Sequence, residues 1–168
     1  MNRLALAICL VFLLITCLNA KENKYWWEEA PPPVHKGHQM PESWWAAAKR
    51  SAKDNHCNPF DIVAVMIMES SPRPFSKGGL TVGRGRNGRK YIRPMGFNRH
   101  CNIPDDVMYT PEKQIYHAGR LLQGKLKKRL KKYNTKWYEN NYIRDIIRTS
   151  HKLQQEAREQ IRLQNSIF

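Results

Sequence analysis

The stretch that decides the fold is NPFDIVAVMIMESSPRP, residues 58–74. Its middle holds seven apolar residues in a row, 62–68, and Glu69 follows them directly. Asn58 can cap a helix and Pro59 suits the first helical position. The prolines of the closing SSPRP cannot continue a helix. The pattern therefore predicts a buried helix that ends close to Glu69.

The carboxyl of Glu69 is unusual beside so much hydrocarbon. Burial removes water from a carboxylate, and the negative end of the helix dipole repels it, so both effects raise its pKa. A raised pKa is what a general acid needs to protonate a glycosidic oxygen at neutral pH. A buried glutamate that is simply bonded to a nearby Arg or Tyr explains the same residue, and the burial argument alone leaves both interpretations open.

The first 20 residues have the pattern of a secretory signal. Arg3 supplies the positive start, residues 4–14 the apolar core, and Asn19 and Ala20 the small-residue end. We therefore expect export, to a periplasm. A membrane anchor would need about 20 consecutive apolar residues, more than this stretch offers. A lipoprotein attached through Cys17 is the minority alternative, because the threonine before that cysteine is atypical.

The 168-residue chain carries a formal net charge of +15. Such a charge indicates a polyanionic partner, and export argues against nucleic acid. The remaining candidate partners are an anionic cell-wall polymer and, through peripheral contact, an acidic membrane. Part of the charge falls in a glycine-rich stretch, residues 76–102, which could meet carboxylates or anionic polymers or could simply be a solvated charge run. Five of its seven Lys and Arg residues lie close together in the chain and form this basic loop: Arg84, Arg86, Arg89, Lys90 and Arg93.

Beyond the signal the chain has two cysteines, Cys57 and Cys101. In an exported protein an isolated pair favours a disulfide, with two buried free thiols as the alternative. Together with His56 and His100 the cysteines offer four zinc-ligand types. Residues adjacent in the chain rarely bind one tetrahedral ion together, so zinc ranks well below the disulfide. We expect no metal and no cofactor.

The rest of the chain predicts a small, mostly helical domain over residues 42–153. Besides the helix that ends near Glu69, helices are expected over PESWWAAAKRSAKDNHC, from about Thr110 to about Lys132, and over NNYIRDIIRTSHKL. Residues 21–41 read as a flexible or extended lead-in, and 76–102 as one long basic loop or small hairpin. The polar tail, 154–168, is expected to fray.

Several short motifs, in this order, resemble a known family. The spacing from Pro59 to Glu69 and Ser70, with Pro74 beyond, is similar to the first motif of lytic transglycosylases of the soluble and secretion-associated type, in the lysozyme-like superfamily. RPMGFN resembles their Gly-Leu-Met-Gln segment, which often continues as Met-Gln-Ile-Asn; Met95 and Asn98 are in place, and Gly96 stands where the family has Gln.

The later motifs extend the resemblance over about residues 43–150. TPEKQIYHAGRLL resembles the family's Asp-Pro-x-x-Asn-Ile-x-x-Gly-Ala helix, with Gln114 in place of Asn. KYNT, with Tyr133 and Asn134, is similar to the Ala-Tyr-Asn-x-Gly element, although the Gly is missing. NNYIRDIIR resembles the closing helix.

The resemblance implies a lysozyme-like domain that cleaves peptidoglycan between N-acetylmuramic acid and N-acetylglucosamine without water. Glu69 would act first as acid and then as base, giving a 1,6-anhydro product. The same resemblance places Ser70, Met95, Asn98, Tyr133 and Asn134 at the substrate, with the Tyr133 hydroxyl holding the Glu69 carboxyl. A helix cap is the alternative role for Ser70, and packing in the core is the alternative for Met95 and Tyr133. Small exported members open the wall locally for secretion, conjugation or pilus complexes, or come from phage.

Two other functions fit the same residues. One is a non-catalytic cationic protein that binds the cell wall or an acidic membrane; the net charge and the altered Gln segment favour it. The other is a hydrolytic muramidase on the same fold, which requires a positioned water and a second acidic group. The apolar helix ending in Glu-Ser favours an enzyme, because binding alone does not require a buried acid.

Overall fold

The structure is a computed structural model that describes residues 25–70, 75, 81–84, 90–97, 102–123 and 139–166. The chain divides into two compact units, Met1–Ala30 and Pro31–Phe168. In the first unit, the described residues form one 3-10 turn, Trp26–Glu28, in which the Tyr25 and Trp27 rings lie 4.9 Å apart. The predicted signal, 1–20, lies outside the described residues.

The second unit is mainly helical in its described part, as the sequence predicts. Two short antiparallel hairpins accompany the helices, and residues 81–93 contain one of them, in the region for which a long loop or a small hairpin is predicted. The elements, in order, are β1 Val34–His35, β2 His38–Gln39, α1 Glu42–Asn55, α2 Pro59–Ser70, β3 Thr81–Arg84, β4 Lys90–Arg93, α3 Asp105–Met108, α4 Pro111–Leu121 and α5 Glu139–Asn165.

Helix α2 forms where the sequence predicts it. Asn58 caps its start, because its Oδ1 accepts the backbone N–H of Phe60 at 3.0 Å. The helix presents a wide apolar surface, and Phe60, Ile62 and Met66 are fully buried. None of the helices in the described ranges is long and apolar enough to cross a membrane.

Helices α1, α4 and α5 all pack against α2. From α1, Trp45 meets Phe60 of α2 with ring centroids 5.1 Å apart. Ile115 of α4 and Ile146 of α5 are fully buried. The core therefore lies around α2, and the other three helices enclose it.

Helices α1 and α4 approach each other closely at Gly119. The Ser51 hydroxyl donates to the Tyr116 carbonyl oxygen at 2.6 Å. A Cβ atom built on Gly119 would lie 2.0 Å from Ser51 Oγ and 3.1 Å from Cδ1 of Ile62. Only glycine fits at this crossing, because any larger residue would push α1 away from α4.

Of the two expectations for the lead-in, flexible or extended, the flexible one is wrong for residues 34–39, which form a hairpin. Strands β1 and β2 pair through His35 and His38, and Lys36 and Gly37 connect them with φ angles of 50° and 76°. Two consecutive positive φ angles are the signature of a type I′ hairpin turn. Met40 is buried beyond the hairpin. Two-residue strands have no visible alternation, so the sequence pattern could not signal them.

Helix α4 is shorter than predicted. It ends at Leu121, well before Lys132, and the Leu122 N–H is shared between the carbonyl oxygens of Ala118 and Gly119 at 3.0 and 3.1 Å. This tight last turn closes the helix. Residues 124–138 lie outside the described part.

Helix α5 is longer than predicted. It continues from Glu139 to Asn165, through most of the segment that we expected to fray. Its buried residues recur every three or four positions, which is one face of a helix. Because polar side chains separate these buried residues, the apolar stripe is not evident from the sequence. The buried residues of the stripe are Ile143, Ile146, Ser150, Leu153 and Ala157.

A polar contact joins α5 to the start of α2. The Ser150 hydroxyl donates to Asp61 Oδ1 at 2.6 Å, and Gln154 Nε2 donates to Ser150 Oγ at 3.0 Å. Burial raises the pKa of Asp61, and the Ser150 hydrogen bond offsets part of that effect. Asp61 thus lies in the first turn of α2, as predicted, and also fixes α5 against it.

We predict that Gly119→Ala destabilises the protein by about 1–2 kcal/mol, because the new methyl group would overlap Ser51 Oγ. An alanine in a helix normally stabilises it relative to glycine, so a lower free energy of unfolding in Gly119→Ala would itself point to the overlap with Ser51. Urea unfolding measures the change. Combining Gly119→Ala with Ser51→Ala should recover part of the loss, and strictly additive effects would contradict the proposed crossing.

We predict that Leu153→Ala lowers the free energy of unfolding by about 2–4 kcal/mol, because Leu153 is buried in the second half of α5. Leu163→Ala is the matched control on the same helix, since Leu163 is 51% exposed, and it should change stability by less than about 0.5 kcal/mol. Equally small effects for both variants would mean that this half of α5 frays.

Candidate functional site

Glu69 lies in the last turn of α2, at the edge of the core. Its side chain keeps access to solvent, yet the atoms packed around its carboxyl raise its pKa by desolvation. Partial desolvation with one open side is the environment expected of an acid that must meet a ligand. The predicted rise in the pKa of Glu69 agrees in direction with the structure.

Tyr142, in the first turn of α5, holds this carboxyl. Its hydroxyl donates a hydrogen bond to Glu69 Oε1. That hydrogen bond lowers the pKa of Glu69 and so offsets part of the effect of desolvation, which is larger. Because Oε1 is engaged by Tyr142, the geometry favours Oε2 as the oxygen that carries the proton.

Gly96 lies directly beside Oε2. A Cβ atom at this position would be 3.0 Å from Oε2 and 3.3 Å from the Glu69 Cβ. Gly96 also has a φ of 70°, a conformation that glycine adopts without strain. A larger residue would therefore crowd the carboxyl. Where the family that the chain resembles has Gln, this chain has a residue small enough to pack directly against the acid.

Buried hydrogen bonds hold the turn that contains Gly96. The Ser70 hydroxyl donates to the Pro94 carbonyl oxygen. The Met95 N–H donates to Gln114 Oε1 at 3.0 Å, and Gln114 Nε2 donates to the Met108 carbonyl oxygen. Helices α2, α3 and α4 thus all contribute to the position of this turn.

A short backbone bridge closes the same segment. Ile92 and Phe97 exchange two backbone hydrogen bonds, at 2.7 and 3.1 Å, on either side of the turn. The fold therefore presents Gly96 to Glu69 on a connection that is fixed at both ends.

The residues predicted at the substrate fall into two groups. Ser70, next to Glu69 in the chain, and Met95, next to Gly96, are both buried, and the hydrogen bond of Ser70 goes to Pro94 rather than to the acid. Asn98, Tyr133 and Asn134 lie outside the described residues, so their substrate roles stay predictions.

Two residues of the site were not identified from the sequence. The sequence places Tyr142 in the last predicted helix, but nothing in it relates this residue to the carboxyl of Glu69, which is 73 positions away. Gln114 lies near the start of the helix predicted from about Thr110, where polar residues are common, yet its side chain is fully buried. The resemblance of Gln114 to a family Asn was the one signal that pointed to it.

Cys57 carries a free thiol, so the expected disulfide with Cys101 is not seen; Cys101 lies outside the described residues. The Cys57 sulfur lies 3.9 Å from the Gly119 carbonyl oxygen, next to the crossing of α1 and α4. Burial, together with the charge of Asp61, raises the pKa of Cys57 to about 12. The thiol is therefore protonated and unreactive at neutral pH.

No second acid contributes to the raised pKa of Glu69 in the described part of the chain. Other carboxylates there have partners of their own: Asp61 accepts from Ser150, Asp106 pairs with Lys113, Glu112 accepts from Ser43 and Asp145 pairs with Arg148. Within the same residues, no three His, Cys, Asp or Glu side chains lie close enough together to hold a metal ion.

No family model matches the chain, and neither a curated protein nor a solved structure matches it. The resemblance to lytic transglycosylases therefore depends on the short motifs alone.

We predict that Glu69→Gln becomes more stable relative to the wild type as pH rises. The folded-state pKa of Glu69 lies above the ordinary 4.5 expected in the unfolded chain, so ionisation costs stability in the wild type only. This cost grows as pH rises above 4.5 and levels off once pH exceeds the folded-state pKa. Below 4.5 both side chains are neutral and the two proteins should unfold alike. Urea unfolding from pH 4 to pH 8 measures the difference; a difference of the opposite sign would contradict the raised pKa.

Proposed function

We propose that the protein is a peptidoglycan lytic transglycosylase with Glu69 as its single catalytic acid and base, on a lysozyme-like domain. One observation carries the proposal: a solvent-accessible, partly desolvated carboxyl at the end of a buried helix, with one oxygen bound by Tyr142 and the other beside Gly96. The order of the family motifs along the chain supports it.

The reaction uses the two protonation states of Glu69 in turn. The neutral carboxyl donates its proton to the glycosidic oxygen as the bond from C1 of the muramyl residue to that oxygen breaks. The carboxylate then takes the proton of the muramyl C6 hydroxyl, and that oxygen bonds to C1. The products are a 1,6-anhydro-muramyl end and a free N-acetylglucosamine hydroxyl. Glu69 is protonated again, and no water is consumed.

The motif resemblance favours this single-acid chemistry over hydrolysis, because its motifs supply one carboxyl, Glu69. A hydrolytic muramidase needs a second carboxylate or a positioned water beside the sugar. The hydrolase is therefore the second candidate, and the cationic binding protein, which the net charge of +15 supports, is the third.

The cellular location and the biological role that we propose rest on the sequence. The N-terminal signal pattern supports export to a periplasm, where the glycan strands of peptidoglycan are the substrate. The small size of the domain supports local wall opening for a secretion, conjugation or pilus complex, or for a phage.

Mass spectrometry of purified peptidoglycan incubated with the protein tests the proposal. Wild type should release anhydro-muropeptides, and Glu69→Gln should release at least about a hundredfold fewer, since a general acid typically contributes 10²–10⁴-fold. Glu159→Gln is the control, because Glu159 is an exposed acid of α5 that pairs with Arg162; it should leave activity unchanged.

Each other outcome selects a different candidate. Products with a reducing muramic acid end, lost in Glu69→Gln, would overturn the transglycosylase in favour of the hydrolase. A folded wild type that sediments with the wall and releases nothing would overturn both enzymes in favour of the binding protein.

A further inference from the structure

Helix α4 contacts the residues on both sides of Gly96. Gln114 Oε1 accepts the Met95 N–H at 3.0 Å, and the His117 ring meets the Phe97 ring edge-on at a centroid distance of 5.9 Å. Gln114 and His117 are three positions apart in the helix, so they lie on one face of it, one turn from each other. A single face of α4 therefore contacts the turn before and after the residue that packs against the carboxyl of the site.

Gln114 is an unusual residue for the place that it occupies. Its side chain is fully buried, and burial of an amide costs free energy unless its polar ends are hydrogen-bonded. Both ends have partners, because Oε1 accepts from Met95 and Nε2 donates to the Met108 carbonyl oxygen. An apolar side chain of the same size would leave these two backbone groups without that partner. The amide thus joins the turn to the end of α3.

His117 makes the second contact. Its ring is half-buried, and desolvation, followed by the charge of Arg120, lowers its pKa. The ring is therefore neutral at neutral pH and meets Phe97 as one aromatic ring meets another. Phe97 is itself buried and exchanges two backbone hydrogen bonds with Ile92. The turn is thus held on the side that follows Gly96 as well as on the side that precedes it.

The position of this turn affects how much water reaches Glu69. A Cβ atom on Gly96 would lie 3.0 Å from Glu69 Oε2, so the turn packs directly against that oxygen. Atoms at such a distance displace water from a carboxylate and disfavour its ionised form. Desolvation is also the largest cause of the raised pKa of Glu69. A turn that moved outward would let water back to Oε2.

We propose that Gln114 and His117 are positioning residues for Glu69, which hold the Gly96 turn against its carboxyl and keep water from Oε2. Both act through the turn and not on the substrate. Their importance for catalysis rests on the proposed function, in which Glu69 is the acid. Their effect on the carboxyl itself can be measured without any activity.

Titration of the Glu69 carboxyl by ¹³C NMR, in the full chain, tests the proposal. Gln114→Met keeps the size of the side chain and removes both of its hydrogen bonds, and His117→Leu removes the ring contact. We expect the pKa of Glu69 to fall toward the ordinary 4.5 in each variant, because the turn relaxes and water reaches Oε2. Hydrogen exchange of the Met95 amide should become about tenfold or more faster in Gln114→Met, because its acceptor is gone.

Leu153→Ala is the control for a general loss of stability. Leu153 is buried and lines a cavity together with Phe60, at the start of α2, roughly 13 Å along the helix axis from Glu69. This variant should be less stable than the wild type, and the pKa of its Glu69 should be that of the wild type. An effect on stability alone is therefore distinguished from an effect on the carboxyl.

Gln114→Glu is the conservative replacement. A neutral carboxyl offers one acceptor and one donor, as the amide does, and can make both hydrogen bonds. Because position 114 is fully buried whereas Glu69 has access to solvent, the new carboxyl should ionise only after Glu69. Glu69 should therefore titrate in this variant as it does in the wild type.

Three results would overturn the proposal. The first is a wild-type pKa of Glu69 in Gln114→Met or in His117→Leu, and the second is an equal fall in Leu153→Ala. The third is a Glu69 titration in Gln114→Glu that follows Gln114→Met, since the hydrogen bonds would then not be what holds the turn. If Gln114→Met does not fold, His117→Leu, at a half-buried position, decides the question alone.

Release of anhydro-muropeptides is a separate measurement. Gln114→Met should release them about ten- to a hundredfold more slowly than the wild type at pH 7, because small displacements at a catalytic group cost about that much. The basic limb of its pH profile should move to lower pH with the pKa of Glu69. An inactive wild type would remove the proposed function and leave the NMR result standing. An active wild type, with an unchanged pKa of Glu69 in the variants, would remove only the positioning residues.

Discussion

Helix α2 is enclosed by α1, α4 and α5, and this enclosure determines where Glu69 can lie. The Asn58 cap fixes the start of the helix, and burial of Phe60, Ile62 and Met66 fixes its rotation. A one-residue shift of α2 would turn the apolar face toward solvent at a cost of several kcal/mol. The last turn therefore places the Glu69 carboxyl at the boundary between core and solvent, where partial desolvation raises its pKa.

The two oxygens of that carboxyl meet different parts of the chain. Tyr142, from α5, donates to Oε1, whereas Gly96 packs so closely against Oε2 that a Cβ atom there would lie 3.0 Å from it. Because Gln114 and Ser70 hold the Gly96 turn through buried hydrogen bonds, this close approach is built into the fold. A solvent-accessible acid with one oxygen fixed by Tyr142 is suited to giving and taking one proton at one place, as the proposed mechanism requires.

The sequence predicted what local signals determine. The cap, the apolar run and the following prolines specify α2, and with it the position and raised pKa of Glu69. Contacts between distant segments could not be predicted from the sequence, because no local pattern relates Tyr142 to Glu69, or Gly119 to Ser51. The expectation that the C-terminal segment frays is wrong because the apolar residues of this half of α5, such as Leu153 and Ala157, are few among polar ones. Burial against the core stabilises a helix that its own composition does not suggest.

Titration of the Glu69 carboxyl by ¹³C NMR, in the wild type and in Tyr142→Phe, tests the central claim most directly. The account predicts a pKa above the ordinary 4.5 in the wild type, because desolvation outweighs the hydrogen bond from Tyr142. It predicts a still higher pKa in Tyr142→Phe, because that hydrogen bond favours the ionised form. A wild-type pKa at or below 4.5, or a pKa that falls when the hydroxyl is removed, would contradict it.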